Sequence, residues 1–280
     1  MKTRISVLFT FGAVLSVFRI LIIKNDIEPI TGFYKTGSVF PTVFYVLLVL
    51  ACAFAVLPLL DKRRGYKIEP QKVRMGTFGV ITCVMLGISF AVSAVLYYFK
   101  FTSGTASKAL EVVLMFASAV AAFLMLAVSG IIGKEKKPFE ICYLMLGVSG
   151  WYAVKLIKAF KGLTTIVTIS EYLLEVIATC ALVLFFYYFS KALTGSAVSA
   201  YVSMYGGLSI ILVFVAVIPK IYYYIIGTDG IFITPFLPEY IPSAVSLLFI
   251  SVGMIQIYKA LVDPVVEVVE EQKEDEQQDE

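Results

Sequence analysis

The chain has 280 residues, of which 60% are hydrophobic and only 15% are charged. A soluble domain would typically be about 45–50% apolar and about 25% charged, so the composition excludes an ordinary soluble protein. The apolar residues lie in long runs, which is typical of membrane-spanning segments. The chain contains no histidine, and this excludes every mechanism or metal site that requires an imidazole.

Eight apolar runs are each long enough to cross a bilayer core of about 30 Å at about 1.5 Å per residue. They predict helices, because lipid offers the backbone no hydrogen-bonding partner. The predicted spans cover roughly residues 5–23, 40–60, 76–99, 109–132, 138–160, 165–190, 197–218 and 241–261. We therefore predict an all-α fold, a polytopic transmembrane helical bundle of about eight spans.

The two ends of the chain differ in character. The first apolar run follows Met1-Lys-Thr-Arg4 and continues to Ile23 with no small-x-small cleavage site, which predicts an uncleaved first span rather than a signal peptide. The membrane domain is predicted to cover residues 1–262. Residues 263–280 are predicted to be a disordered acidic tail, either a solvated end or a docking segment for a basic protein partner.

The distribution of basic residues predicts the orientation. Eight spans place both termini on one side, and fourteen of the 23 Lys and Arg residues fall on that side, against nine on the other. An excess of Lys and Arg marks cytoplasmic loops. We therefore predict that both termini, the basic loop 61–74 and the acidic tail are cytoplasmic.

The segment after the first span carries a recognisable pattern. It reads Asp26-Ile-Glu-Pro-Ile-Thr-Gly-Phe-Tyr34, with Gly37 a little further on, and it follows the basic end of the span. Over some twenty residues and in its general layout, the chain resembles an uncharacterised family of multi-span membrane proteins from Gram-positive bacteria. The resemblance implies a bacterial cell membrane as the setting, and it implies no activity.

Charged residues inside the spans are the strongest indication of function. A charge at membrane depth costs roughly 2.5–3.5 kcal/mol on insertion scales, so by default it marks a functional site. With the orientation above, the charged residues fall in the outer half of the bundle, and this asymmetry predicts a polar site open to the outside. The candidate ligand- or ion-binding residues are Arg19, Glu111, Lys155, Lys158, Glu171 and Glu175.

The turn near Gly162 brings two of these charges to the same depth. Lys155 precedes the turn by seven residues and Glu171 follows it by nine, which puts both about 10–14 Å from the apex. One interpretation is an ion-pair staple that joins two helices and binds no ligand. The other centres on Glu175, which shares a helix face with Glu171 and lies deeper, as a protonatable or cation-binding carboxylate.

Enzyme chemistry finds little support in the sequence. The six aspartates lie in loops, at span ends or in the tail, no phosphate-binding glycine loop is present, and without histidine few nucleophile–base pairs remain. The four cysteines are scattered through apolar runs with no Cys-x-x-Cys. We expect no catalytic residues, no metal, no cofactor and no nucleic-acid partner.

Two function classes remain open. The leading hypothesis is binding or transport of a small solute or ion through an outward-facing polar site around Glu175, with the lipid bilayer as surroundings. The alternative is a non-transporting sensor or accessory subunit that acts through the cytoplasmic basic loop and acidic tail. A discontinuous helix within the membrane would favour transport, whereas a solid bundle with paired charges would favour the alternative.

Overall fold

The structure is a computed structural model that describes residues 2–27, 34–35, 37–60, 76–102, 109–132, 138–163, 169–194, 199–226 and 237–278. Within these ranges, side chains are not described at residues 2, 132, 138–140, 162–163, 169–172, 237 and 260–278. The predicted basic loop 61–74 therefore lies outside the described residues. So does the side chain of Glu171.

The described backbone is helical apart from short connections, and it contains no β-strand, although one isolated bridge joins Ile27 to Tyr34. The helices are α1 (Lys2–Asp26), α2 (Phe40–Val56, continued by the 3₁₀ turn Leu57–Leu60), α3 (Thr77–Thr102), α4 (Ala109–Ile132), α5 (Pro138–Leu163), α6 (Ile169–Leu193), α7 (Ser199–Ala216), α8 (Ile218–Ile226) and α9 (Leu237–Gln278). In the described part of the chain they supply eight segments long and apolar enough to span a membrane. The predicted all-α, multi-span bundle is thereby confirmed.

The seventh span is longer than the sequence predicted and is broken near one end. The predicted span ended at residue 218, but residues 218–226 form α8, which follows α7 after the single residue Val217. Pro219 explains the break, because it has no N–H to donate to the preceding helical turn. At the second position of α8 the same proline is tolerated, since the first turn of a helix leaves its N–H groups unpaired.

The last helix begins earlier and ends later than the predicted eighth span. It starts at Leu237, so Glu239 and Tyr240 belong to its first turn rather than to a loop. Its backbone is helical through Gln278, beyond the predicted domain boundary at residue 262. Because side chains beyond Lys259 are not described, the division into membrane domain and acidic tail stays a prediction.

Six helices form a closed cycle of contacts. In order around the cycle, α3 packs on α4, α4 on α5, α5 on α6, α6 on α7, α7 on α9, and α9 returns to α3. Helices α1, α2 and α8 pack against α7. Burial agrees with this arrangement. In the most apolar stretch of 18 residues in each span, 72% of the residues are buried in the α7–α8 span, against 28% in the α2 span. Helix α7 is therefore the centre on which both groups of helices pack.

Small residues allow the close approach of α7 to its neighbours, as the spacing of Ser199, Ser203 and Gly207 predicts. A Cβ added at Gly207 would lie 3.2 Å from Cβ of Ala55 and 3.3 Å from Cδ1 of Leu8. A larger side chain at this contact between α7, α1 and α2 would require its neighbours to shift.

We expect Gly207→Val to lower the free energy of unfolding by about 1–3 kcal/mol, the usual cost of overpacking. The matched control is Gly150→Val, because Gly150 also lies inside a helix but is exposed, and a Cβ added there would have nothing within 4 Å. Thermal unfolding in detergent measures both variants. Equal midpoints for the two variants would contradict the assigned packing of α7.

Candidate functional site

Charged side chains from several helices meet at one end of the bundle. This end holds the last turns of α3 and α5 and the first turns of α4, α6 and α9, and α8 also contributes. We call the group the charged layer; it consists of Lys100, Glu111, Lys155, Lys158, Glu175, Lys220 and Glu239. Its members form one continuous series of ion pairs and hydrogen bonds across the bundle.

Glu175 lies at the centre of the charged layer and faces two lysines. Its Oε1 is 3.9 Å from Nζ of Lys155 on α5, and its Oε2 accepts a hydrogen bond from Nζ of Lys220 on α8. The hydroxyl of Tyr240 on α9 also donates to Oε2, at 3.3 Å. Lys155 is 1% exposed, and Glu175 and Lys220 are each 4% exposed. These three charges are therefore inside the protein, on helical segments long and apolar enough to span a membrane.

Tyr240 connects the two buried lysines. The Nζ atoms of Lys155 and Lys220 each lie 5.1 Å from the centroid of its ring. An aromatic ring attracts a cation through its quadrupole by about 2 kcal/mol or more when the pair is desolvated. The ring thus offsets part of the cost of holding two ammonium groups close together in a site of low polarity.

Lys155 also holds the first turn of α9. Its Nζ donates to the main-chain carbonyl of Glu239 at 2.8 Å and to Oγ of Ser243 at 3.1 Å. One turn deeper on α5, the hydroxyl of Tyr152 lies 2.6 Å from Oγ of Ser246. Helices α5 and α9 are thus joined across the interior of the cycle by polar side chains.

The rim of the charged layer is more accessible than its centre. Lys158 pairs with the carboxylate of Glu239 and lies 3.7 Å from Oε1 of Glu111. Lys100 contacts the same Oε1 at 2.7 Å. The side chains of these four residues are 11–26% exposed. Such partly exposed pairs stabilise a protein less than their charges alone suggest, because solvent screens them.

A cluster of aromatic rings closes the interior of the bundle beneath the charged layer. We call it the aromatic floor; its members are Phe90, Trp151, Tyr152, Phe185, Phe186, Phe189 and Phe249. Neighbouring centroids in it lie 4.8–5.7 Å apart, within the range of favourable ring pairs. All seven rings are buried. The helices at this level are therefore held together by close-packed rings.

The structure brings together four of the six predicted site residues: Glu111, Lys155, Lys158 and Glu175. Arg19 is also buried, but its described contacts are elsewhere. It donates to the hydroxyl of Tyr34 at 3.0 Å and lies 5.1 Å from the ring centroid of Phe44 on α2. The predicted pairing of Lys155 with Glu171 stays a prediction, because the Glu171 side chain is outside the described residues.

Sequence reasoning missed Lys220, Glu239, Tyr240 and Ser243. The first three lie between the predicted spans 197–218 and 241–261, in a segment that contains several prolines and glycines. One indication was present for each charged residue. Lys220 is a single lysine in the apolar segment 218–226, and Glu239 directly follows a proline, which is typical of the first turn of a helix.

The chemistry of the charged layer favours a role for Glu175 as a counter-ion, since every described contact of its carboxylate is with a lysine or a hydroxyl donor. Cation binding at Glu175 stays a prediction. No group of three or more Cys, Asp or Glu side chains that could hold a metal ion occurs among the described residues.

Comparison of the chain with protein-family models, with curated proteins and with solved structures finds no match.

Proposed function

We propose that this multi-pass membrane protein binds or transports a small solute or ion, and that the charged layer is its site. The setting that we propose is a bacterial cell membrane with both termini in the cytoplasm, which places the charged layer near the outer surface. The observation that carries the proposal is the buried group formed by Glu175 between Lys155 and Lys220.

The stability of the fold does not by itself explain why the protein buries these three charged residues. Removing two ions from water is expensive, and well-packed apolar residues of similar size often serve as well or better. The protein nevertheless buries Glu175, Lys155 and Lys220 at positions where apolar side chains could pack between the same helices. Ionisable side chains at membrane depth that face the protein interior commonly mark the path or the site of a solute.

The broken seventh span supports the same interpretation. Lys220 lies one residue beyond Pro219, at the start of α8, and so the break places its ammonium group against Glu175. In many carriers, discontinuous helices build the solute site.

The alternative function, a non-transporting sensor or accessory subunit, is favoured by a different observation. The charges link α5, α6, α8 and α9 to one another, and the aromatic floor fills the interior beneath them. A bundle joined in this way could serve as a rigid support for the cytoplasmic basic loop and acidic tail. The two functions differ in whether a solute displaces charge across the membrane.

Solid-supported membrane electrophysiology on proteoliposomes distinguishes them. Concentration jumps of sodium chloride, potassium chloride and sodium acetate are expected to give transient currents with the wild-type protein. Lys155→Gln is expected to abolish the currents, because it removes the ammonium group at the centre of the site. The matched control is Lys24→Gln, which makes the same charge change at an exposed position at the same end of the bundle.

The outcome decides between the functions. Currents that depend on Lys155 and not on Lys24 support solute handling. If no jump gives a current above that of protein-free liposomes, the transport proposal is wrong and the accessory role is the better account.

A further inference from the structure

We infer that Tyr223 is a positioning residue for the charged layer: it fixes α8 to α1 and thereby holds Lys220 against Glu175. This role goes beyond the proposed function, since it is the same for solute handling and for the accessory role. Through Tyr223, helix α1, which contributes no residue to the charged layer, helps to determine where one of its central charges lies.

One turn of α8 contacts both the charged layer and α1. Lys220 and Tyr223 lie three residues apart on α8, and both are buried, at 4% and 5% exposure. Nζ of Lys220 donates to the carboxylate of Glu175 on α6 and, at 3.3 Å, to the hydroxyl of Tyr240 on α9. The hydroxyl of Tyr223 donates to the main-chain carbonyl of Ile20 on α1 at 2.7 Å. The position of Lys220 is therefore linked to that of α1 through a single helical turn.

The start of α8 explains why such a link matters. Pro219 has no N–H to donate to the preceding turn, and prolines are where helices change direction most often. The hydrogen bonds from Val217 N to Val213 O and from Ile221 N to Val217 O continue the backbone on either side of the proline, at 2.8 and 3.1 Å. The direction of α8 relative to α7 is therefore set partly by side-chain contacts and not by the helical hydrogen bonds alone.

Tyr223 is the side chain best placed to set that direction. Residues 221–226 are all described, and Tyr223 is the one buried residue among them. Its neighbours Tyr222 and Tyr224 are 41% and 51% exposed. A buried tyrosine hydroxyl normally needs a hydrogen-bond partner, and the described partner here is the carbonyl of Ile20. The hydroxyl of Tyr223 thus anchors the second half of α8 to α1.

The alternative is that the charged layer holds Lys220 without help from α1. The carboxylate of Glu175 attracts its ammonium group, and the ring centroid of Tyr240 lies 5.1 Å from its Nζ. In that case the loss of the Tyr223 hydroxyl would leave Lys220 in place. The two accounts differ in one measurable quantity, which is the accessibility of Lys220 in a variant that keeps every charge.

Acetylation of lysines by acetic anhydride, quantified at each lysine by mass spectrometry, measures this accessibility in the full-length protein in lipid nanodiscs. In Tyr223→Phe we expect the labelling rate of Lys220 to rise by about fivefold, the factor that corresponds to the loss of one typical hydrogen bond. Lys155 is the internal reference, because it is 1% exposed and donates to Glu239 and Ser243 on α9 rather than to α8. Its labelling rate should stay at the wild-type value.

Tyr224→Phe is the matched control, because it removes a hydroxyl from an exposed tyrosine on the same helix. Both lysines should keep their wild-type labelling rates in it. Unchanged labelling of Lys220 in Tyr223→Phe would show that the charged layer holds this lysine alone, and would overturn the inference. Equal increases at Lys155 and Lys220 would overturn it as well, because they would report a general loosening of the bundle.

A second measurement does not depend on chemical labelling. The departure from additivity between Glu175→Gln and Lys220→Gln in thermal unfolding reports how strongly the two residues interact. It should be smaller in a Tyr223→Phe background than in a Tyr224→Phe background, and equal departures would contradict the positioning role. Neither measurement uses a solute, so a negative result leaves the proposed function standing. An absence of currents in proteoliposomes would refute solute handling and leave the role of Tyr223 unaffected.

Discussion

Replacing Glu175 by Gln is expected to lower the free energy of unfolding by about 3–5 kcal/mol, the usual result of removing one partner from a buried ion pair. The variant would leave the ammonium groups of Lys155 and Lys220 buried near one aromatic ring with no carboxylate of Glu175 between them. Gln has the same shape as Glu, so packing is preserved and the loss reports charge. Thermal or chemical unfolding in detergent measures it.

Replacing Lys220, which forms an ion pair with Glu175, gives a useful comparison. Lys220→Gln leaves a one-to-one arrangement of Lys155 and Glu175, and so it should cost clearly less than Glu175→Gln. A Glu175→Gln variant as stable as the wild type would mean that the two lysines are not both charged in the folded protein.

Phe186→Ala is expected to lower the free energy of unfolding by about 3–5 kcal/mol, the usual range for truncating a buried phenylalanine. This loss is similar to that expected for Glu175→Gln. The ring of Phe186 is fully buried and stacks between those of Tyr152 and Phe249, at centroid distances of 5.5 Å to each. Truncation would leave a cavity in the aromatic floor that these neighbours could fill only by changing rotamer. The midpoint of thermal unfolding is the measurement.

Phe123→Ala is the matched control, because Phe123 lies on α4 and its side chain is 72% exposed on the lipid-facing surface. The same chemical change there removes little contact with the rest of the protein, and it should shift the midpoint little. Comparable losses for Phe186→Ala and Phe123→Ala would show that the aromatic floor is not close-packed.

The membrane fold could be predicted from the sequence because it depends on a strong physical constraint. Backbone groups in lipid must be satisfied within the segment, so every long apolar run has to be a helix. The same cost argument identified Lys155 and Glu175, since a charge inside a span is expensive unless the protein interior accommodates it. Both residues are buried and close together in the structure.

The partners of these charges could not be predicted with the same success. The predicted seventh span ended at residue 218, just before Pro219, although a proline also suits the first turn of a new helix. Lys220 therefore fell outside the predicted spans. The position of a residue along its helix follows from the rise per residue. Which helices are adjacent in the bundle does not follow from the sequence in this way. Arg19 is therefore buried in the structure, but its described contacts are with Tyr34 and Phe44.

A double-mutant cycle on Glu175 and Lys220 tests the central claim most directly, namely that the charged layer contains a coupled group of buried charges. The stabilities of the wild type, Glu175→Gln, Lys220→Gln and the double variant are measured under one set of detergent conditions. We predict that the double variant is more stable than the sum of the two single losses implies, by about 1–3 kcal/mol, because residues in one buried network are coupled. Strictly additive losses would show that Glu175 and Lys220 do not interact, and would contradict the account.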